Sequence, residues 1–208
     1  MCIVACEGTA TAGEGRLVQA WSVPQRKLLG SITIPIGPVY ALVFAPSGRM
    51  FAAACAGGVV LLFTVPEAVG ISAPASTAAA AAAAAVASAS NSQIDASVFG
   101  QDGISFAAEI KLIRDHNADV RSVSFSAQGH MFLTAGDDRA IRLYSLVHPS
   151  NGAFRHEFVR QFDGHAGPVT GLSFAPDAVS FLSVSKDKIA RLWHLEVCGC
   201  EFVLVLRL

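Results

Sequence analysis

The strongest constraint on the fold of this chain is a 25-residue pattern that occurs three times without gaps. Each copy contains two phenylalanines seven residues apart and ends on an aromatic residue, Phe63, Tyr144 or Trp193. The copies start at Val39, Val120 and Val169 and read VYALVFAPSGRMFAAACAGGVVLLF, VRSVSFSAQGHMFLTAGDDRAIRLY and VTGLSFAPDAVSFLSVSKDKIARLW. Such self-similarity indicates a repeat architecture, in which each unit buries its apolar face against the next unit.

Each copy divides into short β-strands. Apolar and polar side chains alternate from Val120 to Phe125, with the two-residue period of a half-buried strand. A turn rich in Pro, Gly, Ser or Asp follows, and then come a second strand, a tight bend and a third strand. A fourth, weaker strand is predicted in each spacer and after the last copy, at residues 27–34, 106–113, 154–162 and 201–208.

The chain before the first copy looks like the back part of one more copy. The segment CIVAC, from Cys2 to Cys6, would form its second strand, and RLVQAWSV would form its third. Trp21 then takes the place of the closing aromatic, 42 residues before Phe63. The first strand of this unit is absent, so the sequence predicts one partial and three complete four-stranded units.

The last copy and its flanks resemble the WD repeat of the β-transducin family of propellers. The resemblance rests on Gly164-His165 before the first strand, Asp187 in the tight bend and Leu192-Trp193 at the end of the third strand. It implies an all-β fold, a β-propeller of four-stranded blades, and a non-catalytic scaffold that binds other proteins within a multiprotein complex. The segment is also weakly similar to transducin-β-like proteins and to propeller subunits of histone-methyltransferase complexes, which leaves the subfamily open.

This interpretation divides the chain into blades and one insertion. Residues 1–65 hold the partial blade and most of the next, residues 66–105 are a low-complexity insertion rich in Ala and Ser, and residues 106–208 continue the blades. Alanine is the best helix former, so a helix from Thr77 to Ser88 and a disordered surface loop both remain open for the insertion. Closed propellers have roughly four to eight blades. We therefore expect additional blades or a partner to complete the ring, because an open sheet flank invites association.

The resemblance also implies one hydrogen-bonded tetrad in each blade, formed by a histidine, a serine or threonine, the turn aspartate and the closing tryptophan. The last two copies carry such residues at matching offsets, namely His165, Ser183, Asp187 and Trp193, and His116, Thr134, Asp138 and Tyr144. A turn carboxylate accepts readily from an imidazole N–H, and a buried indole N–H needs an acceptor, so these residue types suit such a network. Tyr144 replaces the tryptophan, which leaves the last bond of that tetrad open. The first copy keeps no tetrad, because it has Pro35, Ala53, Gly57 and Phe63 at these positions.

Serine, histidine and aspartate also form the catalytic triads of hydrolases. Here the set is repeated at fixed offsets, whereas an enzyme needs one site, and we therefore predict that the chain is not an enzyme. The glycine-rich stretches lack the lysine and helix that follow a phosphate-binding loop, so no cofactor is expected. The five cysteines are odd in number and irregularly spaced, which argues against a disulfide framework and against a metal site.

Three cations lie in the bends between the second and third strands of the last two copies, and these bends share one rim of the predicted propeller. They are Arg139, Lys186 and Lys188. A solvated edge is the ordinary interpretation, and a small basic patch for an acidic peptide or for phosphates is the alternative. The net charge of −1 gives no overall attraction to nucleic acid, so other proteins are the expected partners and nucleic acid only indirectly. A chromatin- or RNA-associated propeller that uses this rim, and a truncated fragment without independent function, remain alternative hypotheses.

Residues 50–66 contain no charged residue and approach the length of a short membrane span. The repeat aligns this segment with one that carries Asp137, Asp138 and Arg142, so a hairpin of a sheet is predicted instead. The first residues lack the basic start and the long apolar stretch of a secretory signal. We therefore expect no membrane span and an intracellular protein, cytoplasmic or nuclear.

Overall fold

The computed structural model of the chain describes residues 2–6, 16–22, 24, 26–34, 37–64, 109–147, 154–195 and 204–207. Within these ranges the regular elements are all β-strands in antiparallel sheets, so the predicted all-β fold is confirmed. No helix among the described residues is long and apolar enough to cross a membrane. The insertion predicted at residues 66–105 lies outside the described residues, and so do Cys198 and Cys200.

The strands form four sheets, which we call blades 1 to 4 in chain order, and within each blade the strands follow one another as they do in the sequence. Blade 1 contains β1 (Cys2–Cys6), β2 (Arg16–Ser22) and β3 (Lys27–Ile34). Blade 2 contains β4 (Val39–Phe44), β5 (Met50–Cys55), β6 (Val60–Thr64) and β7 (Glu109–Ile113). Blade 3 contains β8 (Val120–Phe125), β9 (Met131–Gly136), β10 (Ile141–Val147) and β11 (Arg155–Phe162). Blade 4 contains β12 (Val169–Phe174), β13 (Ser180–Ser185), β14 (Ile189–His194) and β15 (Leu204–Arg207).

The strands of blade 2 come from both sides of the predicted insertion. Thr64 at the end of β6 pairs with Glu109 at the start of β7, and Val60 pairs with Ile113. The residues from 65 to 108 therefore connect two strands that are direct neighbours in one sheet. The uncharged segment after Met50 forms β5 and β6 of this sheet, as the alignment of the copies predicts.

The bend between the second and third strands contains, at the same repeat position of each complete blade, a residue with a left-handed backbone. These residues are Gly58, Arg139 and Lys188, with φ of 76°, 68° and 65°. In blade 2 only glycine fits, because a Cβ on Gly58 would lie 2.0 Å from the carbonyl oxygen of His116. Arg139 and Lys188 are exposed, so the other two blades accommodate a long side chain in this conformation.

Aromatic rings pack between successive blades. The closing aromatic of each complete blade stacks on its cross-strand partner, with centroid distances of 4.4 Å, 4.9 Å and 5.8 Å for the pairs Phe51–Phe63, Phe132–Tyr144 and Phe181–Trp193. Each pair lies in a core cluster shared with the preceding blade. The other face of blades 1, 2 and 3 packs on the aromatic face of the following blade, so burial couples neighbours in the chain.

The first strands of blades 2, 3 and 4 lie beside one another on the inner side of the assembly. Between β8 and β12 the contact includes hydrogen bonds from one blade to the next. The backbone N–H groups of Leu172 and Phe174 donate to the hydroxyl oxygens of Ser122 and Ser124, each at 3.1 Å. Polar groups on the inner strands are therefore satisfied across the blade boundary.

Candidate functional site: the tetrads and the face that they support

Blade 4 brings its four predicted tetrad residues together. His165 Nδ1 lies 2.8 Å from Asp187 Oδ2, and His165 Nε2 lies 2.7 Å from Ser183 Oγ. The indole N–H of Trp193 donates to the same hydroxyl oxygen at 2.8 Å. One chain of donors fits these distances, in which Trp193 donates to Ser183, Ser183 to His165, and His165 to Asp187. His165, Ser183 and Trp193 are all buried, so this series of hydrogen bonds connects the core of the blade to its bend.

Asp187 also organises the backbone at the bend. Its carboxylate accepts the N–H of Ala166 and the N–H of Ile189, each at 3.0 Å. Burial raises the pKa of this carboxyl, but the hydrogen bonds from His165 and from the two backbone groups outweigh it and leave the pKa below its ordinary value. The ionised carboxylate is therefore the form that the fold requires.

Blade 3 has the same hydrogen bonds among histidine, hydroxyl and aspartate, but its closing aromatic has a different partner. His116 Nε2 lies 2.7 Å from Thr134 Oγ1, and His116 Nδ1 lies 2.9 Å from Asp138 Oδ2. The hydroxyl of Tyr144 donates to Asp115 Oδ2 at 2.8 Å, which answers the question that the tyrosine raised in the sequence. The closing aromatic of this blade thus bonds to an aspartate that precedes the first strand.

A buried arginine, which the sequence analysis did not single out, joins the blade 3 network. Arg142 Nη1 donates to Asp138 Oδ2 at 2.8 Å. Burial raises the pKa of Asp138, yet the hydrogen bonds from His116 and Arg142 hold it well below its usual range. The equivalent residue in blade 4 is Arg191, so the repeat offset of 49 residues could have drawn attention to both arginines.

Blade 2 has no tetrad, and a residue of blade 3 binds its bend instead. Asp119, which precedes β8, accepts the N–H of Gly57 at 2.9 Å and the hydroxyl of Tyr40 at 2.7 Å. The guanidinium of Arg121 lies 4.0 Å from the centre of the Tyr40 ring and binds both carboxylate oxygens of Asp137. We call these four side chains the Tyr40–Arg121 cluster: Tyr40, Asp119, Arg121 and Asp137.

The predicted rim residues lie at the same end of the blades as this cluster. Asp137, which binds Arg121, belongs to the bend that contains Arg139. The equivalent bend of blade 4 contains Lys186 and Lys188. All three cations are exposed, and none of them forms an ion pair with another described residue. We call the surface made by the two bends and the Tyr40–Arg121 cluster the tetrad face.

Comparison with known families accounts for the repeated geometry. The family model described as "WD domain, G-beta repeat" matches residues 108–145 and 156–194, which contain both tetrads. Blades 3 and 4 therefore contain WD repeats. Each matched range begins with the outer strand of one blade and continues through the first three strands of the next, β7 to β10 in the first range and β11 to β14 in the second.

Proteins with similar sequences are much longer than the region that they share with this chain. It is 35% identical over 68 residues to Pre-mRNA-processing factor 17 of Saccharomyces cerevisiae, covering 33% of this chain and 14% of that protein. It is 34% identical over 85 residues to Actin-interacting protein 1 of Drosophila melanogaster, covering 40% and 13%. It is 31% identical over 86 residues to the SAGA complex/transcription factor TFIID complex subunit Taf5 of Schizosaccharomyces pombe, covering 38% and 13%. The chain thus spans less than a fifth of the length of each of these relatives.

The geometry of the WD-repeat tetrads is better suited to stabilising the blades than to catalysis. The hydroxyl oxygen of Ser183 is fully buried and already accepts the indole N–H of Trp193, so no substrate can approach it. Cys55 is a buried thiol whose pKa is raised to about 12 by burial. No cluster of three or more metal-binding side chains occurs in the part of the chain that the structure describes. What the site offers to other molecules is the exposed surface of the tetrad face.

Proposed function

We propose that this WD-repeat chain is a non-catalytic scaffold that binds other proteins through its tetrad face. The observation that carries this proposal is the Tyr40–Arg121 cluster, in which an exposed tyrosine and an arginine are held in one arrangement by two aspartates. Tyrosine and arginine are enriched among the residues that dominate binding energy at protein interfaces. Side chains that are ordered before binding lose less entropy in the complex, which favours affinity.

The rim gives the tetrad face its electrostatic character. Asp138 is paired with Arg142 and Asp137 with Arg121, so the charges of these two carboxylates are balanced within the protein. The three rim cations have no such partner among the described residues. An acidic segment of a partner protein fits this pattern, because opposite charges at an interface rim speed association and select the partner.

The names of related proteins support a role in assemblies. Besides the relatives described above, the chain resembles Cleavage stimulation factor subunit 50 of Arabidopsis thaliana, with 31% identity over 83 residues that cover 38% of the chain and 19% of that protein. These names denote a pre-mRNA-processing factor, a subunit of a cleavage stimulation factor and a subunit of the SAGA and TFIID complexes. We infer a cytoplasmic or nuclear protein that works as part of a multiprotein complex.

A pair of matched charge reversals tests the proposal. The 208-residue chain is immobilised as bait and incubated with native cell extract. The captured proteins are then quantified by mass spectrometry. We expect Lys186→Glu to reduce the captured partners by about tenfold, since repulsion replaces attraction at the rim. Arg155→Glu reverses an equally exposed cation on β11 and should leave capture unchanged. Equal capture by both variants and the parent chain would contradict the proposal.

The basic rim also supports a second candidate, a propeller that associates with RNA or chromatin. Its observation is the same set of unpaired cations, together with the relative named as a pre-mRNA-processing factor. Phosphate contacts release counterions, so binding of this kind weakens steeply as salt concentration rises. Fluorescence anisotropy with a single-stranded RNA at two salt concentrations separates the candidates, because the scaffold hypothesis predicts no binding at physiological salt.

A further inference from the structure

Equivalent side chains on successive blades differ sharply in exposure, and the difference isolates one apolar face. In blade 3, Leu133 and Leu143 are 0% and 4% exposed. Their counterparts in blade 4, Leu182 and Leu192, are each 39% exposed, although they are the same residue type on the same strands. Leu182 and Leu192 are direct cross-strand partners, so they lie side by side on one face. We call this surface the leucine face of blade 4.

The equivalent faces of blades 2 and 3 are buried, and they show what covers a surface of this kind. Leu133 and Leu143 lie in one core cluster with Phe181 and Trp193, the stacked aromatic pair of blade 4. The corresponding residues of blade 2 show the same arrangement with the aromatic pair of blade 3, in a cluster that contains Ala52, Leu62, Phe132 and Tyr144. In both cases the cover is the closing aromatic of another blade together with its neighbours.

An uncovered aromatic face exists at the other end of the same chain. The closing aromatics Phe63, Tyr144 and Trp193 are buried, whereas Trp21, in the equivalent place in blade 1, is 36% exposed. Its cross-strand partner Leu28 is 39% exposed. Val18 and Ala20, which alternate with Trp21 on β2, are buried against blade 2, so Trp21 lies on the opposite side of the sheet. We call this surface the tryptophan face of blade 1.

We propose that the leucine face of blade 4 is a docking surface for a second copy of this chain, which inserts its tryptophan face. Both halves of the contact are present on one chain, and they are the counterparts of the faces that already pack between blades 2 and 3 and between blades 3 and 4. Exposed apolar surface of this kind marks interaction sites on soluble proteins. The inference rests on blade packing and is independent of the function proposed for the tetrad face.

The proposed contact is head to tail, which fixes the kind of assembly. A dimer joined in this way still has one free leucine face, on one copy, and one free tryptophan face, on the other. Interfaces that join two different surfaces produce rings when the rotation closes and open chains when it does not. The chain should therefore associate beyond the dimer as its concentration rises, rather than stopping at a two-fold symmetric pair.

Complementary variants of the full chain test this arrangement by sedimentation velocity over a range of protein concentrations. Leu192→Lys places a charge on the leucine face, and Trp21→Lys places one on the tryptophan face. Each variant alone should remain monomeric at concentrations about tenfold above those at which the parent chain associates. Mixed in equal amounts, the two should form a dimer that grows no further, because each variant supplies the face that the other lacks.

Each other result overturns the proposal. A parent chain that stays monomeric, a Leu192→Lys variant that still associates, or a mixture that stays monomeric would each exclude the head-to-tail contact. Val159→Lys is the control, since Val159 is 53% exposed on the outer strand β11 and should not affect association. Circular dichroism checks that each variant is folded, and Leu182→Lys replaces Leu192→Lys if the latter loses its β-sheet signal.

Discussion

Blades 2 and 4 have the same strand order, yet they hold their tight bends by different means. In blade 4 the carboxylate of Asp187 lies in the bend itself and bonds to His165 within the blade. In blade 2 the bend has Gly57 at this place, and the bond comes from Asp119 of the next blade. Blade 4 therefore stabilises its bend on its own, whereas blade 2 depends on its neighbour.

The core of blade 2 compensates for the missing network. All six residues of β5 are buried, and Phe51 stacks on Phe63 at 4.4 Å with their planes 4° apart. Apolar packing does not depend on hydrogen-bond direction. A blade packed in this way therefore does without the polar residues that would need hydrogen-bond partners when buried. The comparison teaches that one sheet geometry can be specified either by a buried polar network or by dense apolar packing.

The largest effect is expected in the apolar core of blade 2. Phe51→Ala should lower the free energy of unfolding by about 3–5 kcal/mol, because it removes a fully buried ring and leaves a cavity between blades 1 and 2. Urea unfolding followed by circular dichroism measures the change. Phe158→Ala, at an exposed ring on β11, is the control and should change stability by less than about 0.5 kcal/mol. Equal losses in both variants would refute the role assigned to Phe51.

A smaller effect is expected in the polar network of blade 4. Asp187→Ala should cost about 1–3 kcal/mol, since the buried imidazole of His165 loses its partner. Asp187→Asn retains an acceptor and should recover part of the loss in the same unfolding experiment. The network interpretation would fail if the alanine variant unfolded at the same denaturant concentration as the parent chain.

Acid should weaken blade 3 through Asp138. Its pKa is lower in the folded chain than in the unfolded chain, so its stabilising contribution is complete above about pH 5 and is lost as the pH falls below about 4. The loss should be smaller than that from removing the side chain, because a protonated carboxyl keeps part of its hydrogen bonding. Thermal unfolding between about pH 2 and about pH 6 measures the effect, and Asp138→Asn should show a shallower pH dependence than the parent chain.

The smallest effect is expected at the bond between blades 2 and 3. Asp119→Ala should cost about 1 kcal/mol, because the hydrogen bonds that it removes lie at a partly exposed site. A double-mutant cycle with Tyr40→Phe isolates the contribution of their hydroxyl–carboxylate bond. Strictly additive losses would show that the two side chains do not stabilise each other.

The repeat in the sequence was sufficient to predict the strands and their order, and it pointed to the residues that form the network of blade 4. In blade 3 it left out Arg142 and Asp115. Aligned copies place His165, Ser183, Asp187 and Trp193 at fixed offsets, and the recurring strand pattern positions each residue on a known strand or bend. Alignment compares one copy with another, however, and contains no information about contacts between different positions of neighbouring copies. The bond from Asp119 to Gly57 is of this kind, and the sequence analysis did not predict it.

The partner of Tyr144 was missed for a related reason. Asp115 aligns with Gly164 in blade 4, so the two positions look unrelated in type. A Cβ on Gly164 would lie 3.3 Å from the ring of Trp193, whereas the smaller ring of Tyr144 leaves room for Asp115 and donates to it. The closing aromatic and the residue before the first strand therefore vary together, and two copies are too few to reveal such a pair from sequence.

The pairing of Thr64 with Glu109 has a consequence for how quickly the chain reaches its structure. In the unfolded chain, β6 and β7 are separated by the 44 residues from 65 to 108, whereas β10 and β11 are separated by the seven residues from 148 to 154. The longer closure costs about 1.6 kcal/mol more in chain entropy. Blade 2 is thus expected to be the last complete sheet to form, and until β7 arrives, the unpaired edge of β6 is the point at which newly made chains are most exposed to misassembly.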